Sequence, residues 1–347
     1  LPVRTAEVIK KILNTSQRNR DNNLSFEVLS NPEFLAEGTA INDLENPDRV
    51  LIGGENEKAI NSLIEIYKNW VPENKIICTN IWSSELAKLT SNAFLAQRIS
   101  SINSIGALCE ATGADVKEVS RAIGTDSRIG SKFLDAGPGF GGSCFKKDIL
   151  NLVYLAQYYG LDEVANFWEG VVKLNNWHQH RISQLVCKKL FGTVAGKKIC
   201  ILGFSFKANT NDTRESAAIT ICKDLIEEGS HLVIHDPKVH EIQIEKDLGL
   251  PALNNLDNID MNYSNGSWCK SNDIYTACDN VDAIIVLTEW PLYSTINWHL
   301  ISKRVRHPTY IFDTRLILNA EEVVNAGLCL WKIGYGYLNK IPTNTMN

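Results

Sequence analysis

The sequence lacks long apolar runs and clusters of basic residues. Its longest apolar stretches, such as Ala283 to Thr288, are far too short to cross a bilayer. No basic run is interleaved with aromatic residues, and the net charge is -5, which argues against nucleic-acid binding and membrane attachment. With 44% hydrophobic residues in 347, the chain is expected to form two or three globular domains.

Paired cysteines are also missing. The nine cysteines are odd in number and scattered, and no two of them form a Cys-x-x-Cys pair. This pattern predicts neither a zinc or other metal site nor a disulfide framework. It suits a reducing compartment, so we expect a cytoplasmic protein in which most cysteines are small buried apolar residues.

A third absence is the Gly-x-Gly-x-x-Gly fingerprint of dinucleotide-binding folds. The chain starts at Leu1 rather than Met, and its first residues read as the end of a strand or loop entering a helix over 5–13. The sequence therefore predicts an N-terminal unit that has lost its front. This weakens the case that the chain binds NAD by itself.

The hydrophobic patterns predict an α/β chain in three parts. Residues 1–80 have the pattern of an incomplete Rossmann half. Residues 81–192 are predicted to be a mostly helical domain with a long helix at its front, and residues 193–347 a doubly wound, Rossmann-like domain. The first part is expected to contain a loop over 14–23, strands over 24–29 and 49–52, and a helix over 58–70.

Several boundaries in the later parts follow from capping patterns and apolar runs. Ser83 and Asp115 are candidate helix N-caps, and a helical region is predicted over 146–190. The last part is expected to hold a helix over 216–228, a polar loop over 254–272, and strands over 198–203, 231–235, 283–287 and 310–312. Ligands of such sheets bind beyond the carboxyl ends of the strands.

Cys144 is the leading candidate nucleophile. It follows the glycine-rich loop 137–142 and precedes a predicted helix, whose dipole, together with Lys146 and Lys147, favours the thiolate. Asp148, one turn further on, could act on a water molecule or a neighbouring base. The alternative is a structural loop with an inert cysteine, but this setting favours function.

Two further pairs of residues have more evenly balanced interpretations. Lys88 and Asn92 stand at i and i+4, so they could hold one anionic oxygen, although such pairs usually face solvent. Glu33 and Glu37 flank an apolar turn and could serve as general acid/base and ligand contact, or simply as acids at a helix start.

The beginning of the last sheet indicates a nucleotide-sugar site. Lys207 and Arg214 lie just past its first strand, where phosphates are expected. The turn over 203–206 lacks the glycine spacing of a dinucleotide site, which favours a nucleotide sugar over a complete NAD molecule.

Together these segments resemble the UDP-glucose/GDP-mannose dehydrogenase family, over nearly the whole chain and in the family's order. The motifs that carry the resemblance are Asn31-Pro32-Glu33-Phe34-Leu35-Ala36-Glu37-Gly38, Ser83-Ser84-Glu85-Leu86-Ala87-Lys88-Leu89 with Asn92-Ala93-Phe94, Gly139-Phe140-Gly141-Gly142-Ser143-Cys144-Phe145-Lys146-Lys147-Asp148, Gly203-Phe204-Ser205-Phe206-Lys207, Asp212-Thr213-Arg214-Glu215-Ser216, Asp236-Pro237 and Phe312-Asp313-Thr314-Arg315. The wording around Cys144 and at Thr288-Glu289-Trp290 is closest to the UDP-glucose members.

The resemblance implies oxidation of C6 of UDP-glucose to a carboxylate with two NAD+ per turnover, in a dimer-based homo-oligomer, a hexamer in the family. It implies catalytic roles for Cys144, Lys88, Asn92, Asp148 and Glu33. Substrate-binding positions by the same resemblance are Glu33, Phe34, Leu35, Ala36, Glu37, Lys88, Asn92, Arg128 from a partner subunit, Phe140, Gly141, Phe206, Lys207 and Arg315. Cofactor-contacting positions are Glu37, Cys144, Lys147 and Arg214.

The chain departs from the family's sequence pattern at Gly137, Asn209 and Asn211, and in the length of the loop over 14–23. Two alternatives stay open at this point. One is a non-catalytic subunit that binds UDP-sugar or oligomerises, and the other is a sister enzyme that oxidises a different nucleotide sugar.

Overall fold

A computed structural model describes residues 3–18, 26–254 and 265–338 of the chain. The chain divides into two compact units. The first contains Leu1–Phe94 with Lys147–Trp168, and the second contains Leu95–Lys146 with Glu169–Asn347. No helix within the described ranges is long and apolar enough to span a bilayer.

The helices and strands alternate at both ends of the chain, and helices fill its middle. The helices are α1 Thr5–Arg18, α2 Ala40–Glu45, α3 Glu57–Tyr67, α4 Ile81–Thr112, α5 Val116–Gly124, α6 Phe145–Tyr158, α7 Asp162–Lys189, α8 Ala217–Glu227, α9 Glu241–Leu248, α10 Ile274–Ala277, α11 Trp298–Ser302 and α12 Ala320–Asn325. The strands are β1 Val50–Gly53, β2 Ile76–Thr79, β3 Lys198–Leu202, β4 His231–His235, β5 Ser267–Lys270, β6 Ala283–Val286, β7 Tyr310–Asp313, β8 Cys329–Lys332 and β9 Gly336–Leu338.

The first unit is built on the parallel pair β1 and β2. Val50 and Ile52 of β1 pack with Val71, and apolar residues of α3 cover them. Ser30 forms an antiparallel bridge with Gly53, so the segment that follows Ser30 emerges at the carboxyl end of β1. This end of a parallel sheet is where α/β folds bind ligands.

Three predictions for the first unit are wrong in part. Helix α1 continues through residues 14–18 of the predicted loop 14–23, whose remainder lies outside the described residues. Residues 26–29 form no strand, and the rest of the strand predicted over 24–29 also lies outside the described residues. Helix α4 begins before Ser83: its cap is Asn80, whose Oδ1 accepts a hydrogen bond from Ser83 N at 2.8 Å.

The second unit holds a seven-stranded sheet in the order β5-β4-β3-β6-β7-β8-β9. All neighbouring strands are parallel except β8 and β9. The chain winds outward from β3 in one direction and from β6 in the other. The topological switch point therefore lies between β3 and β6, as predicted for a doubly wound sheet.

Both faces of this sheet are buried. Successive side chains of a strand point to opposite faces, so both sets are apolar and each strand is a continuous apolar run in the sequence. Ile199 and Ile201 of β3 pack on one side with Ile182 and Val186 of α7. Cys200 and Leu202 face the opposite side with buried aromatic residues, which include Trp290, Tyr293 and Trp298.

The remaining corrections concern turns and short strands. The helical region predicted over 146–190 is two helices, α6 and α7, separated by a turn at Gly160 with φ +70°. The predicted loop over 254–272 contains β5, while its residues 255–264 lie outside the described ranges. The Asp115 cap is confirmed, since its side chain accepts from Lys117 N and Glu118 N.

Gly203, just after β3, is tightly packed against Thr288 at the switch point, and substitution there tests this packing. Its φ is +97°, and a Cβ there would lie 2.4 Å from Thr288 Cβ and 2.7 Å from Thr288 N. We expect Gly203→Ala to lower the free energy of unfolding by about 2–4 kcal/mol in urea titrations. Gly327→Ala, with φ +79° but nothing within 4 Å, should lose only about 1 kcal/mol. Equal losses in the two variants would contradict this packing.

Candidate active site

The first turn after β3 is held by a buried carboxylate. Asp236, at the end of β4, accepts hydrogen bonds at Oδ2 from Phe204 N at 2.8 Å and Ser205 N at 3.1 Å. The indole Nε1 of Trp290 donates to the same oxygen at 3.2 Å. These N–H groups correspond to those that cradle phosphate in dinucleotide folds, and here a side chain uses them.

Asp313 plays the same part at the end of β7. Its carboxylate is fully buried and accepts from Arg315 N at 3.1 Å and Leu318 N at 3.0 Å. Lys332 Nζ lies 3.8 Å away and offsets the buried negative charge. Burial lowers the pKa of Lys332, and the Asp313 carboxylate opposes that shift. The turn that carries Arg315 is therefore fixed by the chain itself.

The Arg315 side chain joins three turns at this carboxyl edge. Its Nε donates to Leu287 O at 2.8 Å, and Nη2 donates to Phe206 O at 3.0 Å. The guanidinium lies 3.1 Å from Glu289 Oε2 and is only 17% exposed. Burial lowers the pKa of Arg315, while Glu289 raises it. The arginine is thus held in one orientation by protein acceptors.

Phe206 and Lys207, both predicted substrate contacts, are half-buried beside this edge. The Lys207 ammonium stands 5.5 Å from the centre of the Phe206 ring. Arg214 is exposed and forms an ion pair with Asp212 at 2.6 Å. The backbone after β3 therefore places two cations and an aromatic ring where a nucleotide sugar is expected to lie.

The glycine-rich loop before Cys144 is fixed by side chains from two helices. Asn103 of α4 accepts from Gly137 N at 2.9 Å, and His178 of α7 bonds Gly137 O at 2.9 Å. Asn175 of α7 both accepts from Phe140 N at 2.9 Å and donates to Phe140 O at 3.2 Å. These hydrogen bonds hold the loop, which its glycines would otherwise make flexible, in one conformation.

Two glycines of this loop allow the close approach of neighbouring segments. A Cβ at Gly141 would lie 2.5 Å from Glu215 O, and one at Gly142 would lie 3.1 Å from the Phe206 ring. Gly142 N also donates to Arg214 O at 2.8 Å. The loop and the turn after β3 are therefore packed backbone to backbone, which explains the need for glycine at these positions.

Cys144 is exposed at the end of this loop, directly before α6. Its Sγ is 3.5 Å from Ser143 Oγ. Lys146, which was expected to add to the positive field at the thiol, instead forms an ion pair with Glu215 at 2.8 Å. The accessible thiol at a helix start agrees with the predicted nucleophile, but the contribution from Lys146 is reduced.

Arg128, the residue predicted to serve a partner subunit, is 87% exposed. It forms an ion pair with Asp126, at 2.6 Å.

A second group of predicted residues lies in the first unit. Lys88 of α4 is only 18% exposed, and its Nζ is 3.6 Å from Glu33 Oε1. Phe34 stacks beneath Arg49, whose guanidinium carbon is 3.7 Å from the ring centre. Leu35 N donates to Glu33 Oε2 at 2.7 Å, which fixes the turn. Leu35, Ala36 and Glu37 are exposed.

Asn92 and Asp148 form a buried pair in the same unit. Asn92 Nδ2 donates to Asp148 Oδ2 at 2.6 Å, and the two residues are 8% and 7% exposed. The solvent-facing alternative is therefore wrong for Asn92, whereas Lys88 is partly buried and reaches the exposed carboxylate of Glu33. Lys147, the predicted cofactor contact, is exposed on α6.

The residues that hold the loops in place were not predicted from the sequence. They are Asn103, Asn175, His178, Asp236 and Glu289. Polar residues within helices usually face solvent, so the three on α4 and α7 gave no signal. Only Asp236 and Glu289 had a signal in the sequence, since both lie within three residues of the carboxyl end of an apolar strand.

Comparison with known proteins decides the family. Three models of the UDP-glucose/GDP-mannose dehydrogenase family match the chain in succession: the NAD binding domain over residues 1–71, the central domain over 82–177 and the UDP binding domain over 200–320. UDP-glucose 6-dehydrogenases of Caenorhabditis elegans and Bos taurus are each 51% identical to the chain over 96% of its length. The matches cover 69% and 67% of those two proteins.

This chain belongs to the UDP-glucose/GDP-mannose dehydrogenase family.

Solved structures agree with this membership. A UDP-glucose dehydrogenase from Pyrobaculum islandicum superimposes with a TM-score of 0.78 at 31% identity, covering 93% of this chain and 67% of that one. A UDP-D-ManNAc dehydrogenase from Pyrococcus horikoshii gives a TM-score of 0.77 at 25% identity, covering 97% and 71%. The predicted fold class and NAD as the cofactor are confirmed. The three domain boundaries stay a prediction.

The described residues fit NAD in the first unit better than at the β3 turn. Asp236 already occupies the N–H groups of that turn. In the first unit, β1 and β2 end side by side, and the exposed segment with Glu37 follows the Ser30 bridge at that edge. A carboxylate at the edge of a parallel sheet suits the hydroxyl groups of a cofactor ribose.

His178 predicts how the stability of the Cys144 loop depends on pH. Burial lowers its pKa from 6.5 to about 4, and Arg181 adds to the shift. The neutral ring donates from Nε2 to Gly137 O, while Nδ1 is buried without a hydrogen-bond partner. A proton on Nδ1 would therefore be buried unpaired, so the unfolded chain takes it up first.

Stability from His178 is therefore complete above pH 6.5 and is lost as the pH falls toward 4. We expect the loss to reach about 3 kcal/mol over this window in urea titrations. His178→Gln should remove up to one proton from the pH slope, whereas His299→Gln, at an exposed site, should leave the slope unchanged. The same slope for wild type and His178→Gln would contradict the assignment.

Proposed function

We propose that this chain is an NAD-dependent UDP-glucose 6-dehydrogenase that oxidises UDP-glucose to UDP-glucuronate through a covalent intermediate on Cys144. The observation that carries the proposal is an exposed thiol at the end of a rigidly held glycine loop, in a chain 51% identical to UDP-glucose 6-dehydrogenases. NAD+, when bound, would accept one hydride from C6 in each of two successive oxidations, so that two NAD+ are reduced per turnover.

Cys144 carries the covalent chemistry in this proposal. After C6 has become an aldehyde, the Cys144 sulfur adds to its carbon and forms a thiohemiacetal. Loss of the second hydride from that carbon leaves a thioester. Water then attacks the thioester, the carbon–sulfur bond breaks, and the carboxylate and the free thiol are released.

Four polar residues of the first unit, of which Asn92 and Asp148 are buried and Glu33 is exposed, suit the polar steps. Lys88 and Asn92 donate N–H groups to the oxyanion that develops at C6. Asp148, held by Asn92, positions or activates the attacking water, and Glu33 exchanges protons during thioester hydrolysis. Lys88 Nζ lies 3.6 Å from Glu33 Oε1, so the two proposed groups are close to one another.

The UDP-sugar is proposed to bind through the edge residues. They are Phe140, Gly141, Phe206, Lys207 and Arg315, with Phe34, Leu35, Ala36 and Glu37 of the first unit and Arg128 of a partner subunit. The proposed homo-oligomer rests on the family resemblance, and the 87% exposure of the Arg128 side chain is compatible with contact to a partner subunit. We propose that Glu37, Cys144, Lys147 and Arg214 contact the cofactor. All nine cysteines are free thiols, which supports a cytoplasmic location.

The alternative of a non-catalytic subunit is less favoured, because the thiol and its supporting carboxylates and amides are all present in the chain. A sister enzyme for another nucleotide sugar is also less favoured, because the curated relatives with 51% identity act on UDP-glucose by name.

The direct test is NADH formation by the purified chain with UDP-glucose and NAD+. We expect NADH absorbance to rise with wild type and to fall by about three orders of magnitude or more in Cys144→Ser. Cys78→Ser is the matched control, because Cys78 is also an exposed thiol, and it should retain wild-type activity.

Calorimetry with UDP-glucose accompanies this assay, and Cys144→Ser should still bind the sugar nucleotide. Binding of UDP-glucose by wild type without NADH formation would favour the non-catalytic alternative. NADH formation at an equal rate in Cys144→Ser would refute the role given to the thiol.

A further inference from the structure

Glu289 lies three residues after the end of the switch-point strand β6 and has no assigned role among the substrate-binding residues. Its two carboxylate oxygens meet different parts of the second unit. Oε1 accepts a hydrogen bond from Ala208 N at 3.2 Å, and Oε2 lies 3.1 Å from Arg315 Nε. One side chain thus touches the residue after Lys207 and the guanidinium of Arg315.

These contacts act on the Arg315 guanidinium and on the peptide that follows Lys207. The Arg315 guanidinium also donates to the carbonyls of Leu287 and Phe206, which direct it but leave its buried charge without an anionic partner. Carbonyl groups alone do not compensate for a buried charge as well as a carboxylate does. Glu289 supplies that carboxylate, and it also fixes the peptide that follows Lys207.

A carboxylate beside a phosphate-binding edge has an unfavourable direct effect. It repels a diphosphate, so a residue whose only effect was its charge would weaken ligand binding. Removing such a charge would therefore tighten binding. A residue that holds Arg315 and the peptide after Lys207 in place has the opposite effect on affinity. Its removal leaves both in the wrong positions, so ligand binding weakens.

We propose that Glu289 is a positioning residue for the UDP-sugar, which acts by holding Arg315 and the peptide after Lys207 in their binding orientation. This inference rests on the proposed function, because it takes the ligand of the edge to be a UDP-sugar. Glu289 touches neither the reacting carbon nor the thiol in this role. Its effect therefore belongs to binding rather than to chemistry.

Calorimetry with UDP-glucose and with uridine tests the proposal on Glu289→Ala and Glu289→Gln. We expect UDP-glucose to bind about tenfold to a hundredfold more weakly to Glu289→Ala. Glu289→Gln keeps an oxygen for Ala208 N but loses the charge, so it should fall between Glu289→Ala and wild type. Uridine, which lacks the diphosphate and the glucose, should bind to either variant no more than about twofold more weakly than to wild type.

Kinetics separate positioning from a general loss of structure. The KM for UDP-glucose should rise in parallel with its Kd, while kcat stays within about threefold of wild type. Glu227→Gln removes an exposed charge from the end of α8, at the opposite edge of the sheet, and should change neither value.

Unchanged or tighter UDP-glucose binding by Glu289→Gln would overturn the proposal, even if the variant unfolds at a lower temperature. A fall in kcat without a rise in KM would overturn it as well. If wild type itself fails to bind UDP-glucose, the proposed function fails instead, and that result is distinct from both of these.

Discussion

A thiol at the end of a glycine-rich loop can serve as the proposed nucleophile only if other parts of the chain hold the loop in place. Glycine gives the backbone before Cys144 its close approach to the β3 turn, but it also gives that backbone many conformations. Buried amides and an imidazole remove this freedom. Asn103 and His178 bond the two backbone groups of Gly137, and Asn175 bonds both groups of Phe140.

Buried side chains also fix the turns and charges at the carboxyl edge of the large sheet. Asp236 and Asp313 are buried and satisfied by backbone N–H groups, so each fixes a turn rather than a ligand. Arg315 is oriented by two carbonyls and by Glu289. An edge in which the protein's own charges are already placed loses little order when a ligand arrives, which favours tight and specific binding.

Much of the fold follows from the sequence, and the reasons for the errors are physical. The strands β3, β4, β6 and β7 were predictable because strands buried on both faces are continuous apolar runs. β5 lies inside a polar segment, and β9 is an antiparallel strand of three residues, so neither has that signal. Ser83 has the composition of a cap, but Asn80, three residues earlier, caps the helix.

Some residues of the candidate site could likewise be predicted from the sequence, and others could not. Cys144 and Asp148 are candidates from a motif, because a thiol that precedes a helix and two lysines is in a setting that favours the thiolate. The partners of Asp148 and Arg315 could not be found this way, because hydrogen bonds between distant segments leave no local pattern. Asn92 shows the difference: its spacing from Lys88 predicts a solvent-facing pair, yet it is buried against Asp148.

The most direct test of the account is the mass of the Cys144 peptide from enzyme quenched in acid during turnover of UDP-glucose with NAD+. Asp148→Asn, in which hydrolysis should slow, is the form in which the intermediate accumulates. The account predicts a thioester that adds the UDP-glucuronyl group to Cys144, is absent without NAD+ and is released by hydroxylamine. NADH formation with no adduct on Cys144, or with the adduct on another cysteine, would contradict it.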